Sequence, residues 1–241
     1  MHGFRSSVDN SKARFFLNHA HIRGYSLTNF DLPCHGRSEG KLRDFRVSTA
    51  LAALIEVIHQ FRDTPIVLLG SSMGAWLSML AARKLANSAD VNIAGAVLIA
   101  PAFDFVEQYF NNEPVEVLRQ WRRDGFRKFI GRYDNQPYEL GYALVEDGLR
   151  HNMLNKTGEY DFPIRIFHGC EDDVVPIDLS RQFRSMSVNS DIVVRGIKDG
   201  DHTLNQQLPL IAAELDNIFG QVRVQVQVQA QEPEAVSALS R

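Results

Sequence analysis

A serine flanked by glycines is the residue with the clearest capacity for covalent chemistry in this sequence. Residues 70–74 are Gly-Ser-Ser-Met-Gly, which fits the pattern G-x-S-x-G with Ser72 at its centre. The apolar run at residues 65–69 predicts a strand buried on both faces, and residues 75–84 predict a helix. A sharp turn between such a strand and helix lifts the hydroxyl above the sheet, as in a nucleophile elbow. The alternative is a glycine-rich turn in which Ser72 only caps the helix.

A serine hydroxyl is a weak nucleophile unless a base removes its proton and an acid orients that base. Two later loops supply such groups: residues 168–176 contain Asp172, and residues 198–202 end in His202. Both loops follow predicted parallel strands, and open α/β sheets place their sites at the carboxyl ends of such strands. The order serine, aspartate, histidine along the chain also occurs in one architecture of serine hydrolases.

Several titratable residues have simpler or competing interpretations. If the acid loop is shifted, Glu171 or Asp173 replaces Asp172 as the acid, and Asp104 is a more remote candidate. We expect His168 to fix the acid loop. Apart from His2, His168 and His202, the histidines lack the spacing from carboxylates or cysteines that metal ligands show, so we predict no metal site. They are His19, His21, His35, His59 and His151.

Composition restricts the class of protein. The chain has 241 residues, 44% hydrophobic and 23% charged, which suits one large globular domain. A net charge of −3 gives no reason to expect nucleic acid or an acidic membrane as a partner. Cys34 and Cys170 form no disulfide framework and suit a reducing compartment. There is neither a membrane-length apolar run nor a signal-peptide core, so we predict a cytoplasmic protein.

Predicted strands and helices alternate along the chain. Helices are predicted from a cap at Asp9 or Asn10 to residue 23, and at residues 47–61, 75–84, 178–186 and 204–219. Strands are predicted at residues 25–32, 65–69, 93–100, 163–168 and 191–197. This alternation predicts an α/β fold with a mostly parallel sheet and helices on both faces.

Two segments depart from this alternation. Residues 102–160 mix aromatic and charged residues, so we interpret them as an inserted cap of short helices; the alternative is plain surface helices. Residues 221–231 alternate valine or alanine with glutamine or arginine, which permits a strand. Because these valines have no evident partner, we expect an extended, poorly ordered tail at 221–241 after a domain at 1–220.

Taken together and in this order, the motifs resemble the α/β-hydrolase superfamily. The resemblance extends from His2 to about residue 219 and is carried by His2-Gly3-Phe4 and by residues 31–38, 70–76, 168–176 and 200–202. Within the superfamily, the chain is most similar to small esterases and thioesterases of the acyl-glucuronide esterase and palmitoyl-protein thioesterase type. Cys34 differs, because many relatives have glycine there.

The resemblance implies a role for each site residue. Ser72 is the nucleophile, His202 is the general base and later the acid, and Asp172 orients His202. The N–H groups of Phe4 and Met73 form the oxyanion hole, since the family takes one donor after the elbow serine and one after His-Gly. Losing such a donor typically costs about 3 kcal/mol of transition-state stabilisation.

The resemblance also implies that the N-terminal strands of the fold are missing. In the family the His-Gly loop follows a central strand, but here His2-Gly3 begins at the second residue. Three outcomes are open: the flanking strands close up, residues 222–228 are recruited, or the true start lies upstream. We expect the last, with Met1 an internal methionine or the chain a truncated copy.

These inferences predict a serine hydrolase that cleaves a small-molecule carboxylic ester or thioester through an acyl-enzyme at Ser72. Such a mechanism needs no cofactor. An aromatic cap suits an acyl or aryl group of moderate size. The alternative from a different class is a truncated or non-catalytic binding protein with the same fold.

Overall fold

The computed structural model describes residues 1–62, 64–156, 158–188 and 191–231, with the backbone alone over 223–231. Its helices are α1 (Ser11–Arg23), α2 (Val47–His59), α3 (Met73–Leu85), α4 (Val115–Asp124), α5 (Ala143–Gly148), α6 (Ile177–Met186) and α7 (Leu208–Gln231). Its strands are β1 (Ile66–Ser71), β2 (Ile93–Ile99), β3 (Phe126–Ile130), β4 (Pro137–Gly141), β5 (Ile164–Gly169) and β6 (Ile192–Ile197). Among the described residues, no helix has both the length and the hydropathy to cross a bilayer.

A parallel sheet of order β1-β2-β5-β6 forms the centre of the described chain. In its register Leu68 pairs with Ala96, and Leu98 pairs with Ile166. The predicted parallel sheet is therefore confirmed. Because all four strands point the same way, the turns that follow β1, β5 and β6 lie along one edge of the sheet. That edge brings together the loops that carry Ser72, Asp172 and His202.

The alternating side chains of the strands pack into two hydrophobic clusters on opposite faces of the sheet. Leu68, Leu98 and Ile166 belong to the cluster that contains residues of α2, α3 and α6. Val97 and Phe167 belong to the cluster that contains residues of α1 and α7. Burial of successive residues on both faces explains why these strands are continuous apolar runs. The expected helical layers on both faces are confirmed.

The strand predicted at residues 25–32 is wrong: this segment is not paired into the sheet. A strand needs a partner for its backbone N–H and C=O groups. On the outer side of β1, the Met1 main-chain nitrogen donates to the Leu69 carbonyl at 2.5 Å, and the Ser71 N–H donates to the Met1 carbonyl at 3.1 Å. The segment instead ends at buried Leu32, whose N–H bonds to the His2 ring at 3.0 Å.

The segment between β2 and β5 contains an antiparallel hairpin as well as helices. A π-helical turn (Glu107–Asn111) and α4 precede β3 and β4, and α5 follows them. The expectation of short helices alone is therefore wrong. Across the hairpin Phe129 stacks on Tyr138, with ring centroids 5.6 Å apart, and packs on Trp121 at 5.3 Å. Such cross-strand aromatic pairs stabilise a hairpin that local sequence does not specify.

Helix α7 continues through residues 221–231, where an extended tail was expected and a recruited strand was an open alternative. Adding a residue to an existing helix forms a further hydrogen bond, whereas a lone strand finds no partner. Val222 is buried in the cluster with α1, which also favours the helix. The rest of the predicted tail, residues 232–241, lies outside the described residues.

Candidate active site

Ser72 lies at a strained turn between β1 and α3. Its backbone has φ 55° and ψ −123°, a conformation that non-glycine residues rarely adopt. The glycines on either side permit this turn. A Cβ on Gly70 would lie 2.6 Å from the Ala75 Cα, and one on Gly74 would lie 2.4 Å from the His2 carbonyl oxygen. The turn thus has the geometry of a nucleophile elbow rather than of an ordinary helix cap.

The side chains of Ser72, His202 and Asp172 form a continuous hydrogen-bonded chain. His202 Nε2 lies 3.1 Å from Ser72 Oγ, and His202 Nδ1 lies 2.8 Å from Asp172 Oδ2. Because a carboxylate only accepts, Nδ1 carries the proton, and Nε2 is left free to accept from the serine. This is the arrangement that general-base activation of a hydroxyl requires.

Loop structure holds the two partners of the serine. Asp172 Oδ1 accepts the N–H groups of Val174 and Val175 at 2.9 and 2.8 Å. In the His202 loop, Asp201 Oδ1 accepts the N–H groups of Thr203 and Leu204 at 2.9 and 2.8 Å. In each loop, an aspartate side chain accepts the hydrogen bonds of two backbone N–H groups in place of a backbone carbonyl.

The environment of Asp172 favours its ionised form. Burial by itself raises the pKa of this carboxyl, but hydrogen bonds from His168, His202 and the Val175 N–H outweigh burial. The pKa of Asp172 is held well below its usual range as a result. An ionised carboxylate in contact with an imidazole stabilises the protonated form of the ring.

The alternative acids lie elsewhere. Asp173 is 71% exposed and forms an ion pair with Arg132. Glu171 is exposed. Asp104 is buried and accepts the N–H groups of Met153 and Leu154 at 2.6 and 2.9 Å. It therefore holds the backbone of the segment that precedes β5. Of the four candidate acids, Asp172 is the one in contact with His202.

The backbone near Ser72 offers two unused N–H donors. Among the residues that the structure describes, neither the Phe4 N–H nor the Met73 N–H donates a hydrogen bond. The Phe4 N–H lies close to Ser72 because the residue before it, Gly3, packs against this serine. A Cβ on Gly3 would lie 3.7 Å from Ser72 Oγ. His2, which is buried, bonds through Nδ1 to the Gly3 carbonyl at 2.8 Å. Free N–H groups beside a nucleophile are suited to binding an oxyanion.

Aromatic rings of the segment between β2 and β5 pack over Phe4. Phe105 and Tyr138 lie with centroids 5.1 and 6.1 Å from the Phe4 ring. The Tyr109 hydroxyl is buried and has no hydrogen-bond partner among the described residues. Burial, with a contribution from the Asp172 charge, raises the pKa of Tyr109 to about 12. These rings give the site an apolar wall containing one unpaired hydroxyl.

The loop of the β3–β4 hairpin contacts the loops on both sides of Ser72. Arg5 donates to Asp134 at 2.6 Å and lies 4.2 Å over the Tyr138 ring. Arg132 pairs with Asp173, next to Asp172. Sequence analysis missed these contacts, because pairs separated by more than 40 residues leave no periodic signal. The left-handed backbone of Arg5, with φ 54°, shows only in three dimensions.

The sequence contains two cysteines, Cys34 and Cys170, and both are free thiols. Cys34 has φ 65°, in the region that favours glycine. Within the described part of the chain, no group of three histidine, cysteine or acidic residues is placed to hold a metal ion.

Comparison with known proteins identifies the family. A family described as the alpha/beta hydrolase family matches residues 1–214. The chain belongs to the alpha/beta hydrolase family. The expected α/β-hydrolase fold is confirmed by this match and by the solved structures of related folds.

Curated relatives of this hydrolase include mammalian thioesterases. The mitochondrial palmitoyl-protein thioesterase ABHD10 of Bos taurus is 25% identical over 220 residues, covering 90% of this chain and 71% of the relative. The protein of the same name from Homo sapiens is 25% identical over 222 residues, with the same coverage. The resemblance to the palmitoyl-protein thioesterase type is thereby confirmed.

Solved structures of alpha/beta hydrolases superpose over most of the chain. A putative hydrolase from Agrobacterium vitis S4 has a TM-score of 0.85 and 26% identity, covering 90% of this chain and 85% of its own. Alpha/beta hydrolase domain-containing protein 10 from mouse has a TM-score of 0.82 and 24% identity, with 92% and 88% covered. Est1E from Butyrivibrio proteoclasticus, bound to ferulic acid, has a TM-score of 0.74 and 20% identity, with 92% and 86% covered. The last two likenesses concern the fold alone.

Proposed function

We propose that this alpha/beta hydrolase cleaves a carboxylic ester or thioester through an acyl-enzyme on Ser72. The observation that carries the proposal is the hydrogen-bonded chain from Ser72 through His202 to Asp172. Two unused N–H donors support it: that of Met73, in the turn that carries Ser72, and that of Phe4, in the N-terminal loop beside this turn. The esterase and thioesterase names of related proteins agree with this reaction class.

The chemistry proceeds in two half-reactions. Ser72 Oγ attacks the carbonyl carbon while His202 Nε2 takes the hydroxyl proton, and the carbonyl oxygen becomes an oxyanion facing the Phe4 and Met73 N–H groups. Collapse of the tetrahedral adduct breaks the bond to the leaving alcohol or thiol, which receives the proton from His202. A water then attacks the acyl-enzyme, again giving its proton to His202, and the carboxylic acid leaves as Ser72 regains its proton. Since only the neutral ring accepts the proton, activity rises with pH as His202 deprotonates.

The substrate class follows from the wall of the site. Phe105 and Tyr138 pack on the Phe4 ring, and Phe4 follows Gly3, which lies against Ser72. An aromatic cluster at this place favours an acyl or aryl group of moderate size. An ester and a thioester present the same carbonyl to the nucleophile. The thioesterase relatives make acyl thioesters one natural class to assay, and the ferulic acid bound to Est1E makes esters of ferulic acid another.

The compartment is a prediction as well. Two free cysteines favour a reducing compartment, of which the cytoplasm is one. The mammalian relatives carry the word mitochondrial in their names. Fractionation of cells of the source organism would test the cytoplasmic prediction.

Labelling with a fluorophosphonate tests the proposal, together with turnover on p-nitrophenyl ester and acyl-thioester panels. We expect the wild-type protein to be labelled at Ser72 and to hydrolyse at least one member of a panel. Ser72→Ala should abolish both, while the matched control Ser71→Ala, one residue away, should keep both. A folded wild-type protein that is neither labelled nor active would support the alternative, a non-catalytic binding protein.

A further inference from the structure

We propose that His168, oriented by Ser180, is a positioning residue that keeps Asp172 ionised and aimed at His202. This inference rests on the proposed function. It extends the hydrogen-bonded chain by two side chains, both from residues with no exposed surface. Neither residue touches the space beside Ser72, so their effect on the reaction acts through Asp172.

His168 lies at the end of β5 and reaches three groups. Its Nε2 is 2.9 Å from the Val175 carbonyl oxygen and 3.2 Å from Asp172 Oδ2. Its Nδ1 is 2.7 Å from Ser180 Oγ on α6. Asp172 Oδ2 therefore faces two imidazole rings at once, since His202 Nδ1 is 2.8 Å away on its other side.

The contacts fix the protonation of the His168 ring. A carbonyl and a carboxylate oxygen both face Nε2, and neither can donate, so Nε2 carries a hydrogen. Ser180 Oγ faces Nδ1, and a hydroxyl can donate to a bare ring nitrogen. Among the described residues, no acceptor for the Ser180 hydroxyl other than His168 is recorded. The ring is thus neutral, with Ser180 donating to Nδ1 and Nε2–H donating to the Val175 carbonyl oxygen, close beside Asp172 Oδ2.

This arrangement saturates the carboxylate of Asp172. Oδ1 accepts the Val174 and Val175 N–H groups. Oδ2 accepts from His202, and it lies 3.2 Å from the His168 Nε2, whose hydrogen also faces the Val175 carbonyl. The carboxylate is stabilised as an anion and is correspondingly less basic. Tyr109 and Tyr133 also face Asp172, whose charge disfavours their ionisation, and Arg132 acts on both tyrosines in the opposite direction. A less basic Asp172 is a weaker acceptor for the hydrogen on His202 Nδ1.

The consequence is measurable in the dependence of kcat/KM on pH. Removing the His168 donor makes the carboxylate more basic, so the His202 ring holds its proton to higher pH. The acid limb of the profile then moves to higher pH. A residue that only stabilised the fold would lower the amount of active protein at every pH and leave the limb in place.

Four variants of the full chain separate these cases, assayed on the p-nitrophenyl ester that wild type turns over best. His168→Leu removes the donor, and His168→Gln keeps an amide N–H near the position of Nε2. Ser180→Ala removes the hydroxyl that fixes the tautomer of the His168 ring. Ser185→Ala, on the same helix, is the matched control. Activity is normalised to the fraction that fluorophosphonate labels, so that loss of folding is not counted as loss of rate.

We expect kcat/KM to fall about 10- to 100-fold in His168→Leu and about 10-fold in Ser180→Ala, with KM within about twofold of wild type. Both should show the shifted acid limb, whereas His168→Gln should recover much of the rate and Ser185→Ala should match wild type. An unshifted limb in Ser180→Ala, or equal losses in the leucine and glutamine variants, overturns the proposal. If His168→Leu does not fold, the Ser180→Ala limb decides. An inactive, unlabelled wild type would instead overturn the proposed function.

Discussion

The His2 ring and the Gly3 carbonyl lie 2.8 Å apart, and this contact fixes the direction of the next N–H group. The Gly3 C=O and the Phe4 N–H belong to one planar trans peptide, so they point in opposite directions. The Leu32 N–H donates to the other ring nitrogen of His2 at 3.0 Å. A neutral His2 ring, held at both nitrogens, therefore orients the Phe4 N–H.

The burial of His2 makes the folded protein sensitive to acid. Burial lowers the pKa of His2 from its ordinary value of 6.5 to about 4. As the pH falls through this window, the unfolded chain binds a proton that the folded chain does not, so folding loses stability. The loss should be on the order of 3 kcal/mol, because each pKa unit corresponds to about 1.4 kcal/mol.

Urea unfolding at several pH values between 6.5 and about 4 measures this loss. The matched variant is His2→Gln, which cannot titrate. Its stability should fall less steeply with acid than that of wild type. The lowered pKa of His151 affects both proteins alike. The His35 ring lies 5.3 Å from the His2 ring and its charge acts on His2, so the difference in slope includes this coupling. Equal slopes for the two proteins would contradict the prediction.

Gly74→Ala should damage the site through a backbone collision. The added Cβ would lie 2.4 Å from the His2 carbonyl oxygen and 2.5 Å from that of Met1. The loop that carries the Phe4 N–H has to move away, and loss of one such donor typically costs about 100-fold or more in kcat. Steady-state kinetics measures the loss.

The control is Gly220→Ala in α7, where the added Cβ meets nothing within 4 Å. Alanine in a helix interior is favoured over glycine by up to about 1 kcal/mol, so this variant should be as stable as wild type or more so. Gly74→Ala with wild-type kcat would show that the elbow tolerates a side chain there.

Asp172→Asn should remove most of the activity while leaving the protein folded. An amide can donate to His202 Nδ1 and so favour the wrong ring tautomer, a change that lowers kcat by about 10⁴-fold in a comparable triad. Asp173→Asn is the matched control, because this neighbour is exposed and pairs with Arg132. It should retain activity within about threefold, since surface ion pairs contribute about 1 kcal/mol or less. Loss of activity in Asp173→Asn alone would transfer the acid role to Asp173.

Tyr109→Phe should stabilise the free protein. The Tyr109 hydroxyl is buried without a partner among the described residues, and such a group costs about 1–3 kcal/mol. Removing it should raise the free energy of unfolding by about 1 kcal/mol, as measured in urea without substrate. Tyr133→Phe, at a position 70% exposed, should change nothing. A less stable Tyr109→Phe would mean that the hydroxyl has a partner in solution.

Elements with a strong local signal were predicted well from the sequence. The apolar runs of β1, β2, β5 and β6 indicate strands whichever partners they meet. Helix α1 begins where Asn10 caps it, the Asn10 side chain accepting the Ala13 N–H at 2.8 Å. The capping residue was left open between Asp9 and Asn10, because both types suit that position.

Elements whose structure depends on distant partners were not predicted. The β3–β4 hairpin depends on contacts among Phe129, Tyr138 and Trp121. Residues 25–32 have a strand-like composition but are not paired into the sheet. Propensity and periodicity describe what a segment can do alone, and both outcomes were decided by contacts with other segments.

The candidate site shows the same division. Its motifs predicted that Ser72, Asp172 and His202 meet, because loops after parallel strands share one edge of the sheet; their catalytic roles stay predictions. Spacing alone did not separate Asp172 from Asp173, since a shift of one residue reverses which side chain points inward. The contacts of Arg5 and Ser180 depend on tertiary structure and have no local signature.

The ion pairs of the hairpin loop bear on how such an enzyme could be re-engineered. Asp134 and Arg132 bind Arg5 and Asp173, which belong to the two loops flanking the nucleophile rather than to the inserted segment. A chimaera that received its insertion from another hydrolase would leave Arg5 and Asp173 without their counter-ions. The transplantable unit is thus the insertion together with two residues outside it.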